Sequence, residues 1–254
     1  MASLLRDYSN QAATYDTTRA ASPKVLAALR EALAGAPGSA LADVGGGTGN
    51  YALALAREGW QPTVVDRSPE MLAQAAAKGL TTIEADAQEL PFADESFDAV
   101  MLVSMLHHVE NQATALAQAR RVLRSGGRLA VFVFTREDME DLWIVERFPA
   151  SLPWMRATHP PLDSLLEQLP GAVRREVLLT DLADASLAAL AGHPEQLVQE
   201  QWRTQTSFFE RMAREHPREL RSGLERLRHE LAAGTAPRRP GRASMLAWVK
   251  PAPP

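Results

Sequence analysis

The stretch Asp43-Val44-Gly45-Gly46-Gly47-Thr48-Gly49-Asn50 decides the fold, and it lies between residues 39–42 and the apolar run 51–56. This pattern predicts an apolar strand that leads into a glycine turn, with a helix that begins directly after the turn. Glycine lets bare backbone approach a ligand closely, and the first N–H groups of the helix then face that ligand. The sequence therefore predicts a nucleotide-like ligand at this turn.

Composition limits the class of protein. The chain has 254 residues, of which 46% are hydrophobic, enough for one large α/β domain with a sizeable core. It lacks an apolar run of membrane-spanning length and a signal-peptide pattern. A net charge of −4 argues against a nucleic-acid partner, because such proteins usually carry a basic face. The absence of cysteine excludes disulfides and thiolate chemistry and suits a cytoplasmic protein. We expect no membrane partner and no metal.

Strands alternate with helices along the chain, which predicts a parallel, doubly wound sheet. The expected fold class is α/β: a Rossmann-like, seven-stranded, mostly parallel sheet flanked by helices, with a helical cap. The predicted strands are 40–44, 61–65, 81–84, 97–103, 128–134, 174–179 and 244–249; the predicted helices include 23–33, 68–78 and 111–123, with Ser125-Gly126-Gly127 as a turn before the fifth strand.

The glycine spacing separates two enzyme classes. A dinucleotide fingerprint needs G-x-G-x-x-G, and its third glycine would fall on Asn50. The chain instead has an acidic residue followed by three alternating glycines: Asp43, Gly45, Gly47 and Gly49. This pattern resembles motif I of the class I S-adenosylmethionine-dependent methyltransferases. An NAD(P)-dependent oxidoreductase is the weaker alternative.

The resemblance covers about residues 8–135 and rests on an ordered set of motifs. Strand 2 ends in Asp66, strand 3 ends in Asp86, strand 4 is followed by Ser104–Val109, and Arg121–Leu129 closes the set. The set is similar to the UbiE-like, or methyltransferase type 11, group. The resemblance implies S-adenosyl-L-methionine as cofactor and S-adenosyl-L-homocysteine as product.

Acidic residues follow each of the first three strands, at the sheet edge where ligands of open α/β sheets bind. Three carboxylates at one edge repel each other unless a ligand with hydrogen-bond donors lies between them. The resemblance implies that Asp66 accepts hydrogen bonds from the ribose hydroxyls of the cofactor and that Met71 packs on its adenine. It also implies that Asp86 accepts a hydrogen bond from the adenine amino group and that Asp43 binds the amino-acid end of the cofactor. The alternatives are that Asp43 caps the turn and that Asp66 caps its helix. For Tyr15 and Arg19 the alternative is an i,i+4 pair on the surface. The cofactor-binding candidates are Tyr15, Arg19, Asp43, Gly45, Gly46, Gly47, Gly49, Asp66, Arg67, Met71, Asp86, Ala87 and Ser104.

Two histidines are the catalytic candidates. Methyl transfer requires alignment and exclusion of water, and a hydroxyl acceptor also needs a base, for which histidine is suited. His107 and His108 follow strand 4, and we expect only one of them to face the cleft. His107 is favoured, because related small-molecule O-methyltransferases carry a base at the matching position. The alternative is that the pair forms hydrogen bonds at a helix start.

The segment 136–170 has no clean periodicity. Its Trp143, Phe148, Trp154, Met155 and His159 either line a pocket for the methyl acceptor or pack the cap against the sheet. The acidic residues in 137–141 are expected to form a solvated helix start and not a metal site. Core packing is expected for three apolar residues further on: Phe208, Phe209 and Met212.

We therefore predict methyl transfer from S-adenosylmethionine to a small-molecule acceptor, with O-methylation favoured, in a setting such as natural-product biosynthesis. N- or C-methylation by positioning alone and a non-catalytic cofactor-binding domain are the alternatives. We expect one domain, 1–254, made of a helical N-terminal cap (1–35), a cofactor-binding core (36–135) and substrate-side additions (136–254). A helical insertion at about 184–234 would cap the site or form a homodimer contact.

Overall fold

The computed structural model describes residues 16, 19–204 and 206–252. Within them the strands form one sheet in the order β3-β2-β1-β4-β5-β7-β6, in which β7 runs antiparallel to β5 and β6 while the other pairs are parallel. The predicted fold class is confirmed. The strands are β1 Ala40–Val44, β2 Gln61–Asp66, β3 Thr81–Glu84, β4 Phe97–Val103, β5 Leu123–Val133, β6 Val173–Leu178 and β7 Arg242–Val249.

The helices of the first half begin where the sequence places their caps. The side chains of Ser22, Ser68 and Asn111 each accept a hydrogen bond from a backbone N–H of the helix that follows. Proline follows Ser22 and Ser68 at the first helical position, where its missing N–H costs nothing. These helices are α1 Pro23–Leu33, α2 Asn50–Ala56, α3 Pro69–Ala77 and α4 Gln112–Val122.

Short helices dominate the second half. The segment expected to be irregular contains α5 Arg136–Glu140, α6 Trp143–Arg147, α7 Leu152–Thr158 and α8 Leu162–Gln168. Between β6 and β7 the chain forms α9 Leu187–Leu190, α10 Pro194–Leu197, α11 Glu200–Arg203, α12 Ser207–Glu215 and α13 Pro217–Ala233. None of the helices in the described residues has the length and apolar character needed to cross a bilayer.

The sheet is buried on both faces, which explains the continuous apolar run of β4. Ala99 and Met101 pack into one core layer, and Val100 and Leu102 pack into the other. Because β1 to β5 are parallel, their carboxyl ends meet at one edge of the sheet, where the site lies.

Three local expectations are wrong. Strand β5 begins at Leu123 and includes the expected turn, since its pairing with β4 shifts register between Phe97 and Ala99. Residues 19–22 are not helical, because Arg19 forms a bridge with the later segment; residues 1–15, including Tyr15, lie outside the described residues. The third concerns Asp138, which is 1% exposed and not solvated.

Asp138 is buried because its carboxylate is satisfied inside the protein. It closes a capping box with Thr135 at the start of α5 and accepts a hydrogen bond from the Ser244 hydroxyl of β7 at 3.1 Å. The acid therefore fastens α5 to the sheet beside the site.

Candidate functional site

A cavity of about 620 Å³ lies at the carboxyl ends of β1 to β4, between the glycine loop and helices α7 and α12. Two of the residues predicted for the site are not among those lining it: Gly49, and Tyr15, which is outside the described residues. The predicted residues that line the cavity are Arg19, Asp43, Gly45, Gly46, Gly47, Asp66, Arg67, Met71, Asp86, Ala87, Ser104, His107 and His108.

The glycine loop contains glycines with different tasks. Gly47 has φ of +55°, and a Cβ there would meet nothing within 4 Å, so its backbone borders open space in the cavity. Gly49 has φ of +73°, and a Cβ there would lie 2.5 Å from Leu80 Cδ1. The prediction that Gly49 faces the cofactor is therefore replaced by a packing role, at the start of α2.

Asp43 lies at the end of β1 and is only 2% exposed. Burial, and secondly the charge of Asp66, raise the pKa of Asp43 to about 7. Its Oδ1 atom is buried without a hydrogen-bond partner among the described residues. A buried carboxylate oxygen without a donor fits a ligand that brings one, such as the ammonium group of an amino acid.

Asp66 and Asp86 lie at the ends of the next two strands. Asp66 Oδ2 accepts from the Gly47 N–H at 2.9 Å, and its Oδ1 accepts from the Ser68 N–H at 2.9 Å. Asp86 Oδ1 accepts from the Gln88 N–H at 2.8 Å. Asp66 is not the cap of α3, because the Ser68 side chain caps that helix. The hydrogen bonds of Asp66 and Asp86 instead fix the direction in which each carboxylate meets the cavity.

Asn50 holds the N-terminal segment across the glycine loop. Its Nδ2 donates to Asp16 Oδ1 at 2.8 Å and to the Arg19 carbonyl at 2.7 Å, while Lys78 forms an ion pair with Asp16 at 2.6 Å. Arg19 Nη1 lies 3.0 Å from Asp184 Oδ1, and the Arg19 side chain is 17% exposed. Arg19 is thus largely buried, and its pairing with Tyr15 lies outside the described residues. A glycine at position 50 would lose the amide that makes these contacts.

His107 and His108 both line the cavity, so the expectation that only one would face it is wrong. They belong to a 3₁₀ turn, Leu106–His108, directly after β4, and their ring centroids are 3.9 Å apart. Successive side chains of such a turn point about 120° apart, so two neighbours can reach the same concave wall. The Nδ1 atom of His107 is buried, which makes Nε2 the ring nitrogen suited to a bound molecule.

The far wall of the cavity combines aromatic and apolar side chains with the charged residues of α12. Of the candidates from the segment 136–170, Trp154, Met155 and His159 line it. Trp143 and Phe148 instead pack the cap: the Trp143 Nε1–H donates to the Ala191 carbonyl at 2.9 Å, and Phe148 is buried against α12. Trp143 and Phe148 thus pack the cap, whereas an acceptor-pocket role for Trp154, Met155 and His159 stays a prediction.

Sequence reasoning missed several lining residues. Phe134 directly follows the carboxyl end of β5, and the rule that found Asp66 and Asp86 also applies there. Phe208 is buried as expected for a core residue, yet it also lines the cavity and packs on Trp154 with ring centroids 5.4 Å apart. No sequence signal pointed to Phe208. Among the described residues no group of three His, Asp or Glu is placed to hold a metal ion.

A parallel sheet with a glycine loop after β1 and carboxylates after β1, β2 and β3 defines a protein that binds a nucleoside-containing ligand. A family model described as "Methyltransferase domain" matches residues 42–131. The demethylmenaquinone methyltransferase of Mycobacterium tuberculosis is 40% identical over 108 residues, 42% of this chain and 46% of that protein. The chain thus spans about half the length of that relative.

A longer match is to the malonyl-[acyl-carrier protein] O-methyltransferase of Herminiimonas arsenicoxydans, 30% identical over 95% of this chain and 82% of that protein. A candidate methyltransferase from an antibiotic biosynthesis pathway of Anabaena variabilis shares the fold, with a TM-score of 0.76, 24% identity, and coverage of 91% and 98% of the two chains. The chain belongs to the class I S-adenosylmethionine-dependent methyltransferases. The cofactor of this family is S-adenosylmethionine.

Proposed function

We propose that the protein transfers a methyl group from S-adenosylmethionine to a hydroxyl group of a small-molecule acceptor, with His107 as the base. The observation that carries the proposal is that one cavity is lined by His107, by the glycine loop and the strand-end carboxylates, and by the aromatic and apolar side chains Phe134, Trp154 and Phe208. This arrangement supports a role for His107 as a base between a bound cofactor and a methyl acceptor.

The residues present fit the cofactor. Asp43 offers a buried oxygen without a donor, and Asp66 and Asp86 offer further carboxylates to hydroxyl and amine donors. Ser104, with φ of +53°, has a buried hydroxyl without a partner among the described residues, and it too borders the cavity. When bound, S-adenosylmethionine supplies an electrophilic methyl group on a sulfonium, whose positive charge is lost on transfer.

His107 would take the proton of the acceptor hydroxyl at Nε2 as the new O–C bond forms. A neutral imidazole is suited to this step near neutral pH, and general-base assistance of this kind contributes about 10²- to 10⁴-fold. Phe134, Met139 and Phe208 surround the acceptor side with apolar surface, which excludes competing water.

The Herminiimonas relative is an O-methyltransferase, and this supports an oxygen acceptor because the match covers most of both chains. Its acyl-carrier substrate and the quinone pathway of the Mycobacterium relative are properties of those proteins. A cytoplasmic location, a natural-product setting, a homodimer through residues 184–234 and the division into 1–35, 36–135 and 136–254 stay predictions.

The test is product formation. Purified protein is incubated with S-adenosylmethionine and with separate pools of phenols, alcohols, aliphatic amines and activated carbon acids, and products are identified by mass spectrometry. Methylated oxygen products support the proposal. Products methylated only on nitrogen or carbon would favour positioning without a base, and cofactor binding without any product would favour a non-catalytic binding domain.

A further inference from the structure

His159 lies at the C-terminal end of α7, which fixes the orientation of its ring. Its Nδ1 is 3.1 Å from the Met155 carbonyl oxygen and 3.0 Å from Thr158 Oγ1, while the Thr158 hydroxyl donates to the Trp154 carbonyl at 3.0 Å. Because a carbonyl oxygen only accepts, Nδ1 must carry the hydrogen of the neutral ring. The other ring nitrogen, Nε2, therefore carries a lone pair and is a hydrogen-bond acceptor.

The ring of His159 lies beside the candidate base. It stacks on the His107 ring with centroids 5.0 Å apart and an angle of 8° between the planes. His159 is 7% exposed and lines the cavity, and its Nε2 has no hydrogen-bond partner among the described residues. A hydrogen-bond acceptor of fixed orientation thus lies next to the candidate base, open to the cavity and without a partner among the described residues.

The surroundings of His159 favour an uncharged partner. Burial lowers the pKa of His159 to about 4, so the ring stays neutral near pH 7. Among the described residues, the other ionisable groups on this side of the cavity are His107, His108 and the charged residues of α12. The cavity-lining charges of α12 are two acids and two bases, Glu210, Arg211, Arg214 and Glu215, so that the helix brings no net positive charge to the cavity. Arg211 and Arg214 both donate to Glu215 at 2.8 Å. An anionic group of the ligand would meet the Nε2 lone pair without these cations to compensate it.

We propose that His159 Nε2 accepts a hydrogen bond from the methyl acceptor itself, so that the protein selects uncharged, apolar molecules bearing a second O–H or N–H beside the methylated group. This inference rests on the proposed function, since it deepens the description of the same cavity. His107 then faces the hydroxyl group that is methylated, and His159 binds the second O–H or N–H group beside it, which makes that second group a requirement for tight binding. His159 is too weak a base to exchange these roles.

The experiment measures binding to the protein saturated with S-adenosylhomocysteine, by calorimetry at pH 7.5. The probes are 2,3-dihydroxynaphthalene, 2-naphthol and 3-hydroxy-2-naphthoate, which share one apolar body. We expect the dihydroxy probe to bind about five- to tenfold tighter than 2-naphthol, the value of one added hydrogen bond, and the anionic probe to bind most weakly. Equal affinities of the first two, or no binding of either, would overturn the inference.

Substitutions of His159 test whether the preference for the dihydroxy probe depends on its Nε2 atom. His159→Phe keeps a stacked ring but removes Nε2, and it should bring the two neutral probes to the same affinity. His159→Gln retains an acceptor oxygen and should keep a preference of at least twofold. His229→Phe, on the exposed face of α13, is the matched control and should leave the preference unchanged. A preference that survives in His159→Phe would show that His159 only packs.

The two proposals fail separately. Affinity for S-adenosylhomocysteine is measured first for every variant and reports both folding and the cofactor site. If the cofactor does not bind, the proposed function fails. If the cofactor binds and phenols are methylated, but probes with one and with two hydroxyl groups bind equally well, only the proposed role of His159 fails.

Discussion

The side of the cavity that we propose for the cofactor (the cofactor side) and the side that we propose for the methyl acceptor (the acceptor side) are built in different ways. On the cofactor side, residues 43–49 and the carboxylates of Asp66 and Asp86 are held by hydrogen bonds to backbone at strand ends. On the acceptor side, aromatic and apolar side chains from short helices such as α7 and α12 meet each other across the cavity. Backbone geometry fixes the first wall and side-chain packing fixes the second, so substitutions on the two sides should have separable effects.

The largest effect is expected where the two sides meet. His107→Ala should lower methyl-transfer turnover by about 10²- to 10⁴-fold, because it removes the proposed base, while the affinity for S-adenosylhomocysteine changes little. Initial rates with a hydroxyl acceptor and calorimetry measure the two quantities. The control His229→Ala should behave as wild type, and undiminished turnover in His107→Ala would remove the base assignment.

Within the glycine loop, two substitutions should separate stability from binding. Gly49→Ala places a Cβ at positive φ against Leu80 and should cost about 1–3 kcal/mol of unfolding free energy. Gly47→Ala also has positive φ but meets open space, so its main effect should be weaker cofactor binding. Denaturant unfolding and calorimetry give both values. If Gly47→Ala bound the cofactor as tightly as the wild type, this would contradict the claim that backbone geometry forms the cofactor-binding wall.

Asp43 should make the cofactor-free protein lose stability as pH rises. Its pKa of about 7 in the folded state lies above its unfolded value of 3.8, so the folded state holds the extra proton between these values. The unfolding free energy should therefore fall by up to about 1.4 kcal/mol per pH unit from this group as pH rises towards 7. Unfolding curves at pH 5, 6 and 7 measure the slope, and Asp43→Asn should flatten it; an unchanged slope in that variant would refute the assignment.

The smallest effects belong to the acceptor side. Phe208→Leu and Phe209→Leu each remove a buried ring and should cost about 1–2 kcal/mol of stability. Phe208 lines the cavity, whereas Phe209 is not among its lining residues. Only Phe208→Leu should weaken the binding of 2-naphthol. The affinity should fall by roughly a few-fold, because part of one aromatic contact is lost. Equal losses of affinity in both variants would mean that this wall acts as one packed unit.

The same contrast explains what could be predicted from the sequence. Asp66 and Asp86 were predictable, because the end of a parallel strand fixes where its next residue lies. Phe208 was not, since its place depends on how α12 packs against Trp154, and a buried phenylalanine looks the same in a sequence whether or not a cavity lies beside it. The task of Asn50 was also hidden, because its partners Asp16 and Arg19 are distant in sequence.

Calorimetric titration of wild-type protein and Asp66→Ala with S-adenosylhomocysteine, and with NADH as the competing ligand class, tests the central claim most directly. We expect the wild type to bind S-adenosylhomocysteine and not NADH. Asp66→Ala should bind S-adenosylhomocysteine about 10²-fold more weakly, because it loses a carboxylate that accepts hydrogen bonds from hydroxyl groups and orients the glycine loop. Binding of NADH by the wild type, or wild-type affinity in Asp66→Ala, would contradict it.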